Sequence, residues 1–256
     1  MEYLTYPPEH DEALSALLDP VSIAQVLALG LNLTNKRVLE VGAGAGTFAE
    51  WLLTQVGDRG LVFAVDTNPR ITFQYKQLVV HQADLRSDDL PSHFDFIHGR
   101  LTLAHIPQRE DILRRLALAL APGGVLLVED WYSKDTQMVM AAPRDEDADL
   151  YNRYQDAVAV LFEAGGTDRG WARRVHGQML RAGLTNVQTQ INAPVWHGGG
   201  SGCTLMQSVL RQLRPRLLDS STLTASDLDQ IHTLLGQENL VLAGHPLVST
   251  SGARTA

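Results

Sequence analysis

The sequence predicts an α/β protein built on one mostly parallel sheet with helices on both faces. Three observations carry this. Val38-Leu39-Glu40-Val41-Gly42-Ala43-Gly44-Ala45-Gly46-Thr47-Phe48 reads as a buried strand, a glycine turn and the start of a helix. About twenty residues on, a second strand, Leu61-Val62-Phe63-Ala64-Val65, is capped by Asp66. From there strand and helix signals alternate, the rhythm of a parallel sheet whose crossovers are helices.

The elements follow in order. Residues 10–30 read as two helices, with Asp11 and then Asp19-Pro20 suited to helix starts and Gly30 to an end. Strands are expected at 37–41, 61–65, 78–82, 94–98 and 124–130, and helices at 46–56, 69–76 and 108–120. Pro122-Gly123-Gly124 is a strong stop before the fifth strand. Residues 145–165 are helical, with Leu150, Tyr154, Val158 and Leu161 on one face, and 171–182 form another helix ended by Gly183. These two helices are expected to cover the mouth of the sheet as a lid. Alternation over 186–195 gives a sixth strand; His197 to Gly202 is a loop, 203–214 and 224–236 are helices, and 240–249 is the seventh strand. The expectation is a Rossmann-like seven-stranded sheet in a single domain, residues 1–256. It comprises an N-terminal helical segment (1–36), a cofactor-binding core (37–130), a helical insertion (131–185) and C-terminal strands with inserted helices (186–256).

Composition narrows the classes. With 256 residues and 45% hydrophobic content, a sizeable core can be buried. A formal net charge of -8 disfavours a nucleic-acid partner, which needs a concentrated basic face. No apolar run is long enough to span a membrane, and Met1 to Glu9 lacks the basic start and apolar stretch of a signal peptide. The single cysteine, Cys203, excludes an internal disulfide and a multi-cysteine metal site. A cytoplasmic location is expected, with no metal; Asp145-Glu146-Asp147 and Asp149 read as a solvated charge run.

The glycine turn fits a nucleoside-bearing cofactor. Glycine supplies the backbone angles that a strand-to-helix turn needs, and its missing side chains let a ligand approach the backbone. Free N–H groups at the helix start face that ligand. Asp66 can accept both hydroxyls of a ribose. Dinucleotides and S-adenosylmethionine both use such a turn. Glu40 favours the second, because a carboxylate ahead of the turn repels a diphosphate and tolerates an ammonium or a sulfonium.

On these motifs the chain resembles the class I S-adenosylmethionine-dependent methyltransferases, and among them the bacterial natural-product, small-molecule type. The match runs through Val38 to Gly46, Val65-Asp66, Gln82-Ala83-Asp84-Leu85, Phe94 to Ile106 and Leu120 to Asp130. It departs at the end, where Ser251-Gly252-Ala253-Arg254-Thr255 stands in place of an aromatic-Gly-Arg-Arg-Pro segment. The resemblance implies an antiparallel final strand. It implies that Asp84 meets the adenine amino group and that Arg100 holds the donor carboxylate or supports the glycine loop. Tyr6, Glu40, Gly42, Ala43, Gly44, Asp66, Thr67, Leu85 and His105 complete the expected cofactor contacts.

His105, in the turn after the fourth strand, is the candidate catalytic base, since histidine titrates near neutrality. His98, mid-strand, reads as a satisfied core histidine. Trp131, Tyr132, Tyr154, Trp171 and His197 are the candidate substrate contacts, and one of Glu129 and Asp130 is expected to face the substrate. The implied activity is methyl transfer to an oxygen or nitrogen of a small molecule, a secondary metabolite, with room for a homodimer and no membrane partner. The alternatives are a non-methylating enzyme that uses the bound sulfonium for cyclisation or rearrangement, a nicotinamide oxidoreductase, and a degenerate binding subunit.

Overall fold

A computed structural model describes residues 7–255. The chain forms two compact units. One gathers residues up to Pro20, 133–169 and 193–246; the other gathers 21–132, 170–192 and 247 onward.

The second unit is the α/β layer. Its strands are β1 (Arg37–Val41), β2 (Leu61–Asp66), β3 (Leu78–Gln82), β4 (Phe94–Arg100), β5 (Leu120–Trp131), β7 (Thr185–Asn192) and β10 (Leu247–Ala253). They form one sheet in the order β3-β2-β1-β4-β5-β10-β7. The pairs from β3 to β5 are parallel, and β10 runs antiparallel to both of its neighbours. The strand order therefore reverses between β1 and β4, the place where open α/β sheets hold ligands.

Strand alternation sends successive side chains to opposite faces, and each face has its own core. Val38, Val62, Phe96 and Leu127 pack with Val26 of α1 (Pro8–Ala28) and with Phe48, Leu52 and Val56 of α2 (Thr47–Val56). Leu39, Val41, Ile97 and Val128 pack with Ile112, Leu113 and Leu116 of α3 (Arg109–Ala119) and with Val175 and Met179 of α5 (Val175–Arg181).

The other unit contains α4 (Asp145–Ala164), α6 (Ser201–Asp219) and α7 (Ala225–Leu234), with a small antiparallel sheet of β6 (Val139–Ala141), β9 (Val241–Ala243) and β8 (Val195–His197). A capping box fixes the start of α7: Asp227 N–H donates to Thr224 Oγ1, and the Asp227 carboxylate accepts from Thr224 N–H. No helix among the described residues is long and apolar enough to cross a membrane.

Several sequence expectations change. The two N-terminal helices are one: α1 continues through Pro20, because a proline removes a single helical hydrogen bond and the flanking Leu18, Ser22 and Val26 are buried. Residues 69–76 are not helical. They follow Pro69 with the helix-averse run Ile71-Thr72-Phe73, and Arg70 N–H donates to Gly44 O at 2.8 Å instead of joining a helix. The stretch 240–249 divides into β9 and the start of β10, which belong to different sheets. The helices grouped as one lid, α4 and α5, fall in different units.

Arg254 O accepts from Gly123 N–H, Arg254 N–H donates to Gly124 O, and Arg254 Nη1 donates to Leu118 O at 2.9 Å and Leu120 O at 2.5 Å. That one arginine fastens the end of β10 to the end of α3 and the start of β5.

Candidate active site

The glycine turn leaves β1 at the strand-order reversal. Gly42 and Ala43 donate to Val65 O at 2.8 and 3.1 Å, which closes the turn onto β2. Gly42 has φ 73, and a side chain there would place Cβ 1.9 Å from Thr102 Oγ1. Gly46 has φ 83, and its Cβ would lie 2.6 Å from Ile71 Cγ1. At these two positions the absent side chain makes room for the chain itself. Gly44 is the open position, where the nearest atom to an added Cβ is Arg70 Nη2 at 3.5 Å.

Asp66 clamps this turn. Its Oδ2 accepts from Gly44 N–H at 2.9 Å and its Oδ1 from Asn68 N–H at 2.8 Å. Each carboxylate oxygen has two lone pairs, so each retains a site for a ligand hydroxyl. An open glycine beside a backbone-anchored acid fits the ribose of an adenosine. Behind them Ala83 N–H donates to Asp66 O, and Gln82 Nε2 donates to Thr67 O at 2.9 Å.

Asp84 is placed differently from expectation. Arg86 grips its carboxylate from Nε at 2.9 Å and Nη2 at 2.6 Å, and adds its backbone N–H at 2.9 Å. The Arg86 side chain thereby holds the Asp84 carboxyl below the usual range. The acid expected at the adenine amino group is thus held by its neighbour while staying partly exposed. Leu85 is buried in the core, and its carbonyl accepts from Arg115 Nη1.

Glu40, His98 and Glu129 form a buried array. His98, fully buried, sits with Nδ1 2.7 Å from Glu40 Oε2 and Nε2 2.9 Å from Glu129 Oε2. Burial opposes its charge, but the two carboxylates overcome this and raise the imidazole to about 9. Glu129 also accepts from Ser22 Oγ, and from Ser249 Oγ at 2.6 Å. These donors hold the Glu129 carboxyl low against its burial. Arg100 donates from Nη1 to Ser22 Oγ at 2.9 Å and lies over the Phe48 ring. It thus joins this array, while Asp95, at the start of β4, is held by Lys36 and by Arg37 N–H. Sequence reasoning assigned His98 to the core and missed its partners. The signal was present: Glu40 and His98 share one register position, and Glu129 lies two residues beyond Leu127, the register partner of His98.

The end of β5 gathers further predicted groups. His105 keeps an open face to solvent. The surrounding protein and then the Arg109 guanidinium hold its imidazole below the usual range, less strongly than for an enclosed ring because the residue is exposed. Asp130 is buried; neither carboxylate oxygen makes a hydrogen bond of full geometry, but Ala104 N–H, the Trp171 indole and the Arg109 guanidinium all act on it. Burial pushes its carboxyl up to about 8. Trp171 is fully buried, its indole directed at the Asp130 carboxyl. Trp131 and Tyr132 are half-buried, and the Arg173 guanidinium lies 3.7 Å from the centre of the Tyr132 ring.

Tyr154 and His197 belong to the other unit. Tyr154 is core, its hydroxyl unpartnered and pushed well above the usual phenol range by burial; His197 is exposed on β8. Trp171 and Tyr154 are thus packing residues in this structure rather than the walls of an open pocket. Tyr6 lies outside the described residues. A cavity of about 450 Å³ lined by Arg144, Asp147, Asp229 and Gln230 includes none of the predicted site residues.

Comparison with known proteins identifies the architecture. The sequence profile of the methyltransferase-domain family matches residues 15–189. Methyltransferase str2 of Strobilurus tenacellus is 34% identical over 129 residues, covering 47% of this chain and 46% of that protein. The chain spans about half the length of the curated relatives it matches. Among solved structures, phosphoethanolamine N-methyltransferase 2 of Haemonchus contortus, in complex with S-adenosyl-L-methionine, superposes with TM-score 0.54 at 13% identity, covering 91% of this chain and 52% of that one. The YcgJ protein of Bacillus subtilis gives TM-score 0.54 at 18% identity, with 86% and 92% covered. These two likenesses concern the fold.

Proposed function

Because the chain belongs to the methyltransferase-domain family, we propose that it transfers a methyl group from S-adenosylmethionine to an oxygen or nitrogen of a small molecule, a secondary metabolite of the bacterial natural-product kind. The observation that carries the donor assignment is the clamp of Asp66 on Gly44 N–H, beside a turn preceded by an acid. Bound there, S-adenosylmethionine supplies a methyl group already activated by its sulfonium charge.

The residues of the chain then have three tasks. Asp66 receives the ribose hydroxyls while Gly44 and Ala43 give the adenosine access to the backbone. Glu40, with its array, offers negative charge to the amino-acid end of the donor. What remains is to hold nucleophile, methyl carbon and sulfur in line, which supplies most of the acceleration in such a displacement. Trp131 and Tyr132, at the end of β5, are the proposed acceptor contacts.

A hydroxyl or ammonium acceptor must also lose a proton. His105 is the proposed base: it is neutral at pH 7, accessible, and set by the Thr102 turn, whose carbonyl accepts His105 N–H at 3.2 Å. His105→Ala should lower turnover by about 10²-fold on a hydroxyl acceptor while leaving donor affinity unchanged. Unchanged turnover at every pH would remove it from this role.

The reaction is tested by incubating the protein with S-adenosylmethionine and a panel of small hydroxyl and amine compounds, and following S-adenosylhomocysteine by mass spectrometry. Release that depends on an acceptor supports the reading. Binding of NAD without binding of S-adenosylmethionine would overturn it.

A further inference from the structure

On the face of the sheet that otherwise packs apolar residues against α1 and α2, four adjacent strands carry polar side chains in a row. Glu40 of β1 stands opposite His98 of β4, and Ser249 of β10 stands opposite Glu129 of β5. Both ring nitrogens of His98 point at carboxylate oxygens, at 2.7 and 2.9 Å. An ionised carboxylate only accepts. Between two ionised carboxylates both nitrogens would carry hydrogen, as an imidazolium.

The two acids differ in how completely they are satisfied. Glu129 accepts from His98, Ser22 and Ser249, which uses both of its oxygens. In Glu40, His98 takes Oε2, and Oε1 has no hydrogen-bond partner among the described residues. Glu40 also lies two residues ahead of Gly42, the first glycine of the turn. Two carboxylates and one imidazolium leave one net negative charge. The remaining groups around His98 are the Phe48 ring of α2, at 4.3 Å, and Ser22 of α1, through which Arg100 of β4 is attached. Without the imidazolium, the two carboxylates would share one interior with no cation between them.

We propose that His98 is a positioning residue of the donor site: bridging Glu129 and Glu40 as an imidazolium, it keeps Glu40 oriented, so that Glu40 Oε1 receives the ammonium group of the donor's amino-acid moiety. This rests on the reading that the turn binds S-adenosylmethionine. His98 acts through Glu40 and touches no reacting atom.

The test compares two ligands by calorimetry at pH 7. S-Adenosylhomocysteine carries the ammonium; 5′-methylthioadenosine shares its nucleoside and thioether but lacks the amino acid. In His98→Gln, S-adenosylhomocysteine affinity should fall about tenfold or more, the loss of one charged hydrogen bond, while 5′-methylthioadenosine affinity stays within about twofold. Unchanged affinity for S-adenosylhomocysteine, or an equal loss for both ligands, overturns the proposal. Failure of the wild type to bind either ligand would instead overturn the donor assignment.

Should His98→Gln not fold, nitrogen-15 spectra of the wild-type histidine rings decide. Two protonated ring nitrogens on His98 at pH 7.5, with a ring signal that shifts when S-adenosylhomocysteine binds but not when 5′-methylthioadenosine binds, support the proposal. A neutral ring, or one indifferent to the ammonium, overturns it.

Discussion

Glu129 and Asp130 are consecutive residues of β5, both buried, yet they sit in opposite electrostatic states. Strand alternation turns Glu129 toward the face it shares with Glu40, His98 and Ser249, where an imidazolium and two hydroxyls hold it ionised. Asp130 turns the other way. Ala104 N–H and the Trp171 indole face it without hydrogen bonds of full geometry, and burial outweighs them and raises its carboxyl to about 8. Burial alone thus does not set the state of a carboxyl; the donors and charges that accompany it do. One region of the strand end is a fully satisfied ionic scaffold, and the other keeps a neutral acid close to the turn that carries His105.

Isosteric amides at the two positions should therefore act with opposite signs. Glu129→Gln removes the anion from a buried charged network and should destabilise the protein by about 3 kcal/mol in urea denaturation at pH 7. A loss below about 0.5 kcal/mol would mean that the array is not charged. Ser249→Ala deletes one hydrogen bond to that anion and should cost about 1–2 kcal/mol. Asp130→Asn should stabilise by about 1 kcal/mol at pH 8, because the unfolded chain ionises this group while the folded one resists. A destabilised Asp130→Asn would show that the carboxyl has a partner.

The pH dependence carries the same contrast. The folded pKa values of His98 and Asp130 are both raised, so the folded state holds these protons more tightly than the unfolded chain. The stability linked to His98 is complete below about 6.5 and lost as pH rises through about 9. The contribution of Asp130 is complete below 3.8 and lost as pH rises through about 8. Denaturation midpoints should therefore fall on the alkaline side, and Asp130→Asn should remove the part below about pH 8. His105 has the opposite sign: its lowered pKa withdraws stability as pH falls below 6.5.

Much of the second unit was legible in the sequence because strong signals coincide there. The apolar runs and the glycine turn fix boundaries, and β1, β2, β3 and β4 fall where alternation and turn chemistry place them, whereas β5 begins at Leu120 and carries Pro122-Gly123-Gly124 as an irregularity within it. The helix expected at 69–76 failed because a long-range hydrogen bond from Arg70 to Gly44 outweighs a local start signal at Pro69. Asp66 was legible from its spacing. The pairing of Asp84 with Arg86 was not, since sequence proximity does not show that a flexible arginine will fold back. Tyr154 illustrates a different limit: its helical spacing with Leu150 and Val158 marks a buried face, but spacing alone cannot separate a packed core from a pocket wall. The array at His98 was half legible, since strand parity puts the three groups on one face while only the sheet order makes them neighbours.

The account stands on the glycine turn and its acid, and calorimetric titration of S-adenosylmethionine into the wild type and Asp66→Ala tests it most directly. The predicted result is binding by the wild type and an affinity about 10- to 100-fold weaker in the variant, the loss of a charged acceptor for the ribose. Equal affinity in the two proteins would contradict the placement of the donor on this turn.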